Sequence, residues 1–200
     1  MKNIEIIIAS GNKNKLREYK ELFKNLPIKV TSIVEEGLEL DVEETGSTFE
    51  ENSLIKANYI ASKTDKIVIA DDSGLCVHAL DNFPGIFSAR FMKECSYSER
   101  NLKINEMLNN YEDKSAHFTC AIVLVNKKEN IQKIFMGKCE GVIVSPVEGP
   151  HGFGYDPIFK PNGEKETFSV LEDEIKNKIS HRGIASKKLI QYLHQYIKNA

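Results

Sequence analysis

The sequence predicts an α/β fold built around a mixed β-sheet with flanking helices. Three observations carry this expectation. A short, almost continuously apolar run at residues 4–9 leads into a helical repeat and then a β-branched stretch, a second apolar run follows at Ile67-Val68-Ile69-Ala70, and two long β-rich runs are joined by a polar turn at residues 126–130. The first two call for strands buried on both faces, and the third for an antiparallel hairpin, so the sheet must contain both strand directions.

Taken in order, Ile4 to Ala9 ends at the turn-forming pair Gly11-Asn12. Leu16, Tyr19, Phe23 and Leu26 then recur at helical spacing until Pro27 stops the pattern ahead of Val30 to Val34. This is a βαβ start, for which a right-handed crossover is expected. Glu35 to Glu44 reads as loop or ragged strand, and Ser47 and Glu50 have capping-box spacing for a helix reaching about Lys63. On that helix Leu54, Ala57 and Ala61 would face the core, with Asn52 and Lys56, four apart, together on the other side. The run from Ile67 leads into Asp71-Asp72-Ser73-Gly74, which places two carboxylates at a strand's end. Pro84-Gly85 marks a loop, Ser96 to Asn110 an amphipathic helix, and Phe118 to Val125 with Ile131 to Val144 the hairpin. Pro146 to Tyr155 is a Gly- and Pro-rich loop, and a last helix from Gly183 carries Ala185, Leu189, Leu193 and Ile197 along one stripe. With no repeat and no clear linker, residues 1–200 read as one domain, a waist between two lobes remaining open.

At 200 residues and 41% hydrophobic composition the chain can bury a sizeable core. A formal charge of −2 supplies no global field for coating nucleic acid, so an anionic partner must be held by a local positive cluster. Cys76, Cys95, Cys120 and Cys139 form no C-x-x-C pair and read as reduced thiols, which suits a cytoplasmic protein. Met1 to Ala9 reads as a first strand rather than a signal peptide, because the apolar run is short and meets Ser10-Gly11-Asn12-Lys13 without a small-residue cleavage site. No segment approaches the roughly 20 apolar residues that span a bilayer, so no membrane partner is expected.

Four constellations could carry chemistry. Ser10-Gly11-Asn12-Lys13-Asn14-Lys15 lies between a strand and a helix N-terminus, where free N–H groups, the helix dipole and two lysines could cradle a polyphosphate; an ordinary β-to-α turn is the alternative, and P-loop spacing is absent. Asp71-Asp72-Ser73, joined by Glu43-Glu44, could supply the one or two carboxylates that hold Mg²⁺ beside phosphates, with Glu44 and Asp72 as candidate ligands and a carboxylate positioned to deprotonate water. The alternative is a plain turn, since all of Asp71 to Gly74 are turn formers. In Gly152-Phe153-Gly154-Tyr155-Asp156-Pro157 the glycines permit close backbone approach and the aromatics either stack a base or plug the core. Ser180-His181-Arg182-Gly183, with Lys176 upstream, offers an arginine that can donate to a keto oxygen but cannot accept from an amino group, which favours 6-keto purines; decoration of a helix N-terminus is the alternative, although the charge has the wrong sign for that dipole. His78, His117, His151 and His194 share no metal-ligand spacing and read as ordinary histidines.

In order and wording these segments closely resemble the inosine triphosphate pyrophosphatase family, also called XTP/dITP diphosphatases. The landmarks span essentially the whole chain: Ser10 to Lys15, Glu44-Thr45-Gly46 with Phe49-Glu50-Glu51-Asn52 and Lys56-Ala57, Ala70 to Leu75, Pro84-Gly85-Ile86 with Ser88-Ala89-Arg90, Phe153 to Pro157, and Ser180 to Gly183. The resemblance implies an elongated, two-lobed α/β fold with a nucleotide cleft between the lobes, a homodimer, and Mg²⁺-dependent hydrolysis of ITP, dITP and XTP to monophosphate and pyrophosphate. Carried onto matching positions, it implies that Ser10, Gly11, Asn12, Lys13, Asn14, Lys15 and Lys56 contact phosphates, that Glu44 and Asp72 serve the metal with Asp72 as proton acceptor, and that Ser73 touches substrate. Phe153, Gly154, Tyr155, Asp156, Lys176, His181 and Arg182 would form the base pocket, Phe153 stacking and Arg182 reading the 6-keto oxygen, with Arg90 a weaker match. Ser10 stands where threonine is common, and Pro150-His151 where smaller residues often precede the turn, which leaves preference among the three substrates open.

Overall fold

The computed structural model describes residues 4–199; Met1 to Asn3, part of the opening run read as a first strand, lie outside the described residues. The chain runs β1 (Ile4–Ile8), α1 (Lys13–Phe23), β2 (Ile28–Ser32), α2 (Phe49–Ala61), β3 (Ile67–Val77), β4 (Phe83–Pro84), α3 (Tyr97–Met107), β5 (Ser115–Asn126), β6 (Ile131–Ile143), β7 (Phe159–Pro161), α4 (Asp173–Ile179) and α5 (His181–Asn199). The strands form a seven-stranded sheet in the order β2-β1-β3-β5-β6-β7, with β4 paired to β3. Ile6 of β1 lies in parallel register with Val30 of β2 and Ile67 of β3, whereas β4 and β7 run antiparallel to β3 and β6. The expected α/β class with a mixed sheet is therefore what the chain forms.

The chain divides into two compact units, one made of Met1–Asp72, Cys120–Met136 and Ala185–Ala200, the other of Ser73–Thr119 and Gly137–Ile184. In the first unit the continuous apolar runs have a simple cause. Alternation along each strand sends Ile6, Ile8, Ile67, Ile69, Ile122 and Leu124 to one face, where Tyr19 and Phe23 of α1 and Ala185, Leu189 and Leu193 of α5 cover them. Ile7, Val68, Ala70, Val123 and Val125 point to the opposite face, under Ala57, Ile60 and Ala61 of α2. In the second unit Leu75 and Val77 pack with Ile104 of α3 and Leu108 at its C-cap, Phe118 of β5, Phe159 of β7 and Phe168.

Three expectations need correction. The cap of α2 is Thr48, whose hydroxyl accepts from Glu51 N, while the Glu51 carboxylate takes the Ser47 N–H at 2.7 Å; the Ser47–Glu50 spacing is offset by one residue from the motif that forms. Asp71 to Gly74 is no turn and no strand end: β3 runs through it to Val77, because Leu75 and Val77 bury on the far side and outweigh local turn propensity. The last helix starts at His181 rather than Gly183, with the Ser180 hydroxyl accepting from Gly183 N at 3.1 Å, and α4 ahead of it carried too little apolar periodicity to be read. Among the described residues no helix is long and apolar enough to cross a membrane.

All four cysteines are free, and three are buried. Burial lifts the Cys76 thiol to about 11 and Cys139 to about 12, so almost no thiolate forms at either near neutrality. With Ellman's reagent at pH 8 the native protein should release one equivalent quickly, from half-buried Cys95, and the rest only with denaturant; four fast equivalents would contradict this packing.

Candidate active site

In the first unit the N-terminus of α1 is capped from within. Asn12 Oδ1 accepts from Asn14 N at 2.9 Å and Lys15 N at 3.3 Å, and Ser10 Oγ accepts from Asn12 N at 3.1 Å. The expectation of a turn with free backbone donors is corrected here, because these short polar side chains reach back to three of the donors themselves. The segment instead exposes Gly11, Asn12 and Lys13 and turns Lys15 inward.

Strand periodicity then separates two adjacent carboxylates. Asp71 shares its face with Ile67 and Ile69 and meets α1: its carboxylate pairs with Lys15 and accepts from Tyr19 OH at 2.9 Å and Cys120 Sγ at 3.4 Å. Asp72 shares its face with Val68 and Ala70 and meets α2, its Oδ1 3.3 Å from Lys56 Nζ. The Asp71 carbonyl accepts from Lys15 Nζ at 3.2 Å and Lys56 Nζ at 3.0 Å, so one peptide group ties down both lysines. Glu44 Oε2 lies 3.4 Å from Lys56 Nζ. Its loop is held against α2 by Gly46 N donating to Asn52 Oδ1 at 2.8 Å, and it approaches so closely that a Cβ on Gly46 would sit 2.6 Å from Glu51 Cβ.

Asp72 is 8% exposed. Burial holds its pKa above the ordinary carboxylate value against the pull of Lys56 and Lys15, with Glu44 and Asp71 pushing the same way as burial. Its Oδ2 is buried with no hydrogen-bond partner among the described residues. Buried carboxylate oxygens are normally satisfied, so an orphaned one near a second carboxylate is a donor set that fits a divalent cation with oxygen ligands.

The second unit gathers the remaining candidates. Asp156 and Lys176 are both buried and pair at 2.8 Å, and the Asp156 carboxylate also accepts from Phe153 N at 2.6 Å. Gly152 must be glycine: φ is +79° and a Cβ would lie 2.6 Å from Asp156 Oδ2. The half-buried Phe153 ring has Lys176 Nζ 5.0 Å and Arg182 Cζ 5.9 Å from its centroid, within cation–π range. Arg182 donates from Nη2 to Ser73 Oγ at 2.9 Å, and His181 stacks on Phe118 at 4.7 Å. Gly183 follows them because a Cβ there would fall 1.9 Å from the Asn177 carbonyl oxygen. Tyr155 departs from its expected place: its ring is buried and its hydroxyl donates to Ser88 O at 2.8 Å, so it supports the turn from behind. Gly154 presents its carbonyl to Asn101 Nδ2 at 3.1 Å. Arg90 folds back on its own segment, donating to Ile86 O at 3.2 Å.

Sequence reading passed over Tyr19 and Asn101, and gave Asp71 no role of its own within Asp71-Asp72-Ser73; all three position the others. That Asp71 faces away from Asp72 could have been found by extending the alternation of Ile67 and Ile69 two residues further.

Known proteins match this chain closely. The Ham1 family pattern matches residues 6–192. A dITP/XTP pyrophosphatase of Thermoanaerobacter pseudethanolicus is 42% identical over 193 residues, covering 95% of this chain and 96% of its own, and one of Clostridium perfringens is 44% identical over 204 residues, covering 97% and 99%. The solved structure of a HAM1 protein from Coxiella burnetii superposes with a TM-score of 0.87 at 41% identity over 96% of this chain and 99% of that one. The resemblance drawn from the six landmarks is thus borne out over nearly the full length, and the chain belongs to the Ham1 family.

Proposed function

We propose that the chain hydrolyses non-standard purine nucleoside triphosphates such as ITP, dITP and XTP to the monophosphate and pyrophosphate, removing them from the nucleotide pool before they enter nucleic acid. The orphaned, buried oxygen of Asp72, set among Glu44 and two lysines, carries this reading. That the relatives are dITP/XTP pyrophosphatases supports it. Glu44 and Asp72 would hold a divalent cation, Mg²⁺ being the abundant one of the right chemistry; when bound, it neutralises developing phosphate charge. Asp72 takes the proton of the water that attacks phosphorus as the bond to the bridging oxygen of the α–β anhydride breaks, and its raised pKa suits a base. Lys15 and Lys56 meet the charge on the leaving pyrophosphate, and Ser10 to Asn14 contact phosphates from the exposed turn.

In the second unit Phe153 stacks the base and Arg182, oriented by Ser73, donates to the 6-keto oxygen, with Lys176, Asp156 and His181 shaping the pocket. An amino group at that position would meet a donor with no acceptor. The two units act as one pyrophosphatase domain, in a homodimer, in the cytoplasm. The test is to incubate the protein and Mg²⁺ with ITP, dITP, XTP, ATP, GTP and a pyrimidine triphosphate and to resolve the products. Monophosphate and pyrophosphate from the first three support the reading; orthophosphate with diphosphate refutes the bond assigned, and no turnover of any refutes the enzyme. Arg182→Ala should lower the ITP-to-ATP ratio of kcat/KM by about 10- to 100-fold, the worth of one well-made polar contact. An unchanged ratio sinks that assignment.

A further inference from the structure

Two histidines that sequence spacing left unconnected meet in the second unit. Beside them lies a third ligand type. Along β5, Ala116 and Phe118 are buried, so Ser115 and His117 share the opposite face; along β6, Gly137, Cys139 and Gly141 are buried, so Lys138 and Glu140 point the other way. His78 follows directly on β3, and β3, β5 and β6 are consecutive in the sheet. His78 Nε2 lies 2.8 Å from His117 Nδ1, and the ligand-type atoms of His78, His117 and Glu140 all fall within 4.8 Å of one another.

We propose that His78, His117 and Glu140 form a binding site for a divalent transition-metal ion such as Zn²⁺, sharing no residue with the Asp72 cluster. Two imidazoles and a carboxylate are a borderline set that selects Zn²⁺ and its neighbours over Mg²⁺, which prefers oxygen. The orienting contact is already built: His78 Nδ1 lies 2.7 Å from Ser115 Oγ, and an Nδ1–H donated to that hydroxyl leaves the Nε2 lone pair aimed at His117. In the metal-free protein the 2.8 Å contact needs one N–H and one lone pair, supplied by Nδ1–H of His117. Binding moves that proton to His117 Nε2, so both rings stay neutral and no proton is lost, and the two nitrogens part to about 3.3 Å, the separation set by Zn–N bonds near 2.0–2.1 Å in a tetrahedron. Glu140 is engaged by Lys138 at 2.7 Å, but both side chains are about half exposed, so that pair is weak and yields to a divalent ion. Three protein ligands leave the fourth position to water, and the ion would tie the turn that follows β3 to β5 and β6.

Zn²⁺ affinity measured by competition with a chromophoric chelator, in excess Mg²⁺ to occupy the oxygen sites, tests this. One equivalent should bind; His78→Ala and His117→Ala should each weaken it by roughly 100-fold and Glu140→Gln by roughly 10-fold, while Lys138→Met should tighten it and Asp72→Asn leave it unchanged. Turnover by the histidine variants should stay at the wild-type level. Independently of any variant, Zn²⁺ should shift the ring nitrogen NMR signals of two histidines together. Zn²⁺ binding that survives the two alanine variants, or no binding at about 100 µM free Zn²⁺, overturns the proposal.

Discussion

Asp72→Asn is expected to cut kcat by about 10²- to 10⁴-fold, the usual worth of a positioned base, and by more if cation binding fails with it. The fold should survive. Folding raises the Asp72 pKa, so at neutral pH the ionised carboxylate is a cost to the native state, and a neutral amide of the same shape removes that cost. Lys56 keeps the Asp71 carbonyl at 3.0 Å and Glu44 at 3.4 Å. The melting temperature should therefore be unchanged or higher, a stability gained where function is lost. Steady-state kinetics and a thermal melt on the same sample decide the matter: near-normal kcat removes Asp72 from the role of base, and a collapsed melt means that the residue holds the fold instead.

The second large effect is on stability. Asp156→Ala leaves the buried Lys176 ammonium without this carboxylate and Phe153 N without its acceptor, and breaking one side of a buried pair costs about 3–5 kcal/mol. For a chain of this size that is a fall in melting temperature on the order of 10 °C. Replacing both partners, as Asp156→Leu with Lys176→Met, should recover part of the loss, because no charge is then stranded. A single variant that melts with the wild type would mean that water reaches Lys176 and that the pair is not the anchor of the Phe153 turn.

How far the sequence could be read depended on what kind of signal each feature left. Periodicity located both faces of the first unit's sheet, since Ile6 to Ile8 and Ile67 to Ala70 have no other way to be buried. It failed at Asp71 to Gly74, where four turn formers sit inside a strand because Leu75 and Val77 are buried beyond them and two lysines wait on the two faces. Local propensity contains no term for either. The cap of α2 was missed by one residue because Ser47 and Thr48 are chemically equivalent, and only the path of the Glu44 to Gly46 loop chooses between them. The motif residues, Asp71 and Asn52 among them, were visible as ligand types without their supporting roles, whereas Tyr19 and Asn101 look like ordinary core or helix positions until the chain is folded.

On the proposed function, the peptide group that holds both lysines would also shape the order in which ligands arrive. Lys15 and Lys56 stand against Asp71, Asp72 and Glu44, so these five groups, fully ionised, carry an excess of one negative charge. A triphosphate approaching them alone would meet two lysines already engaged and no net positive charge from these five groups. If a divalent ion is held by Glu44 and Asp72 as proposed, the sum becomes positive, and the same lysines would turn from internal counter-ions into anion receptors. Nucleotide and cation would then strengthen each other by the same factor, and pyrophosphate stripped of its cation would have little reason to stay.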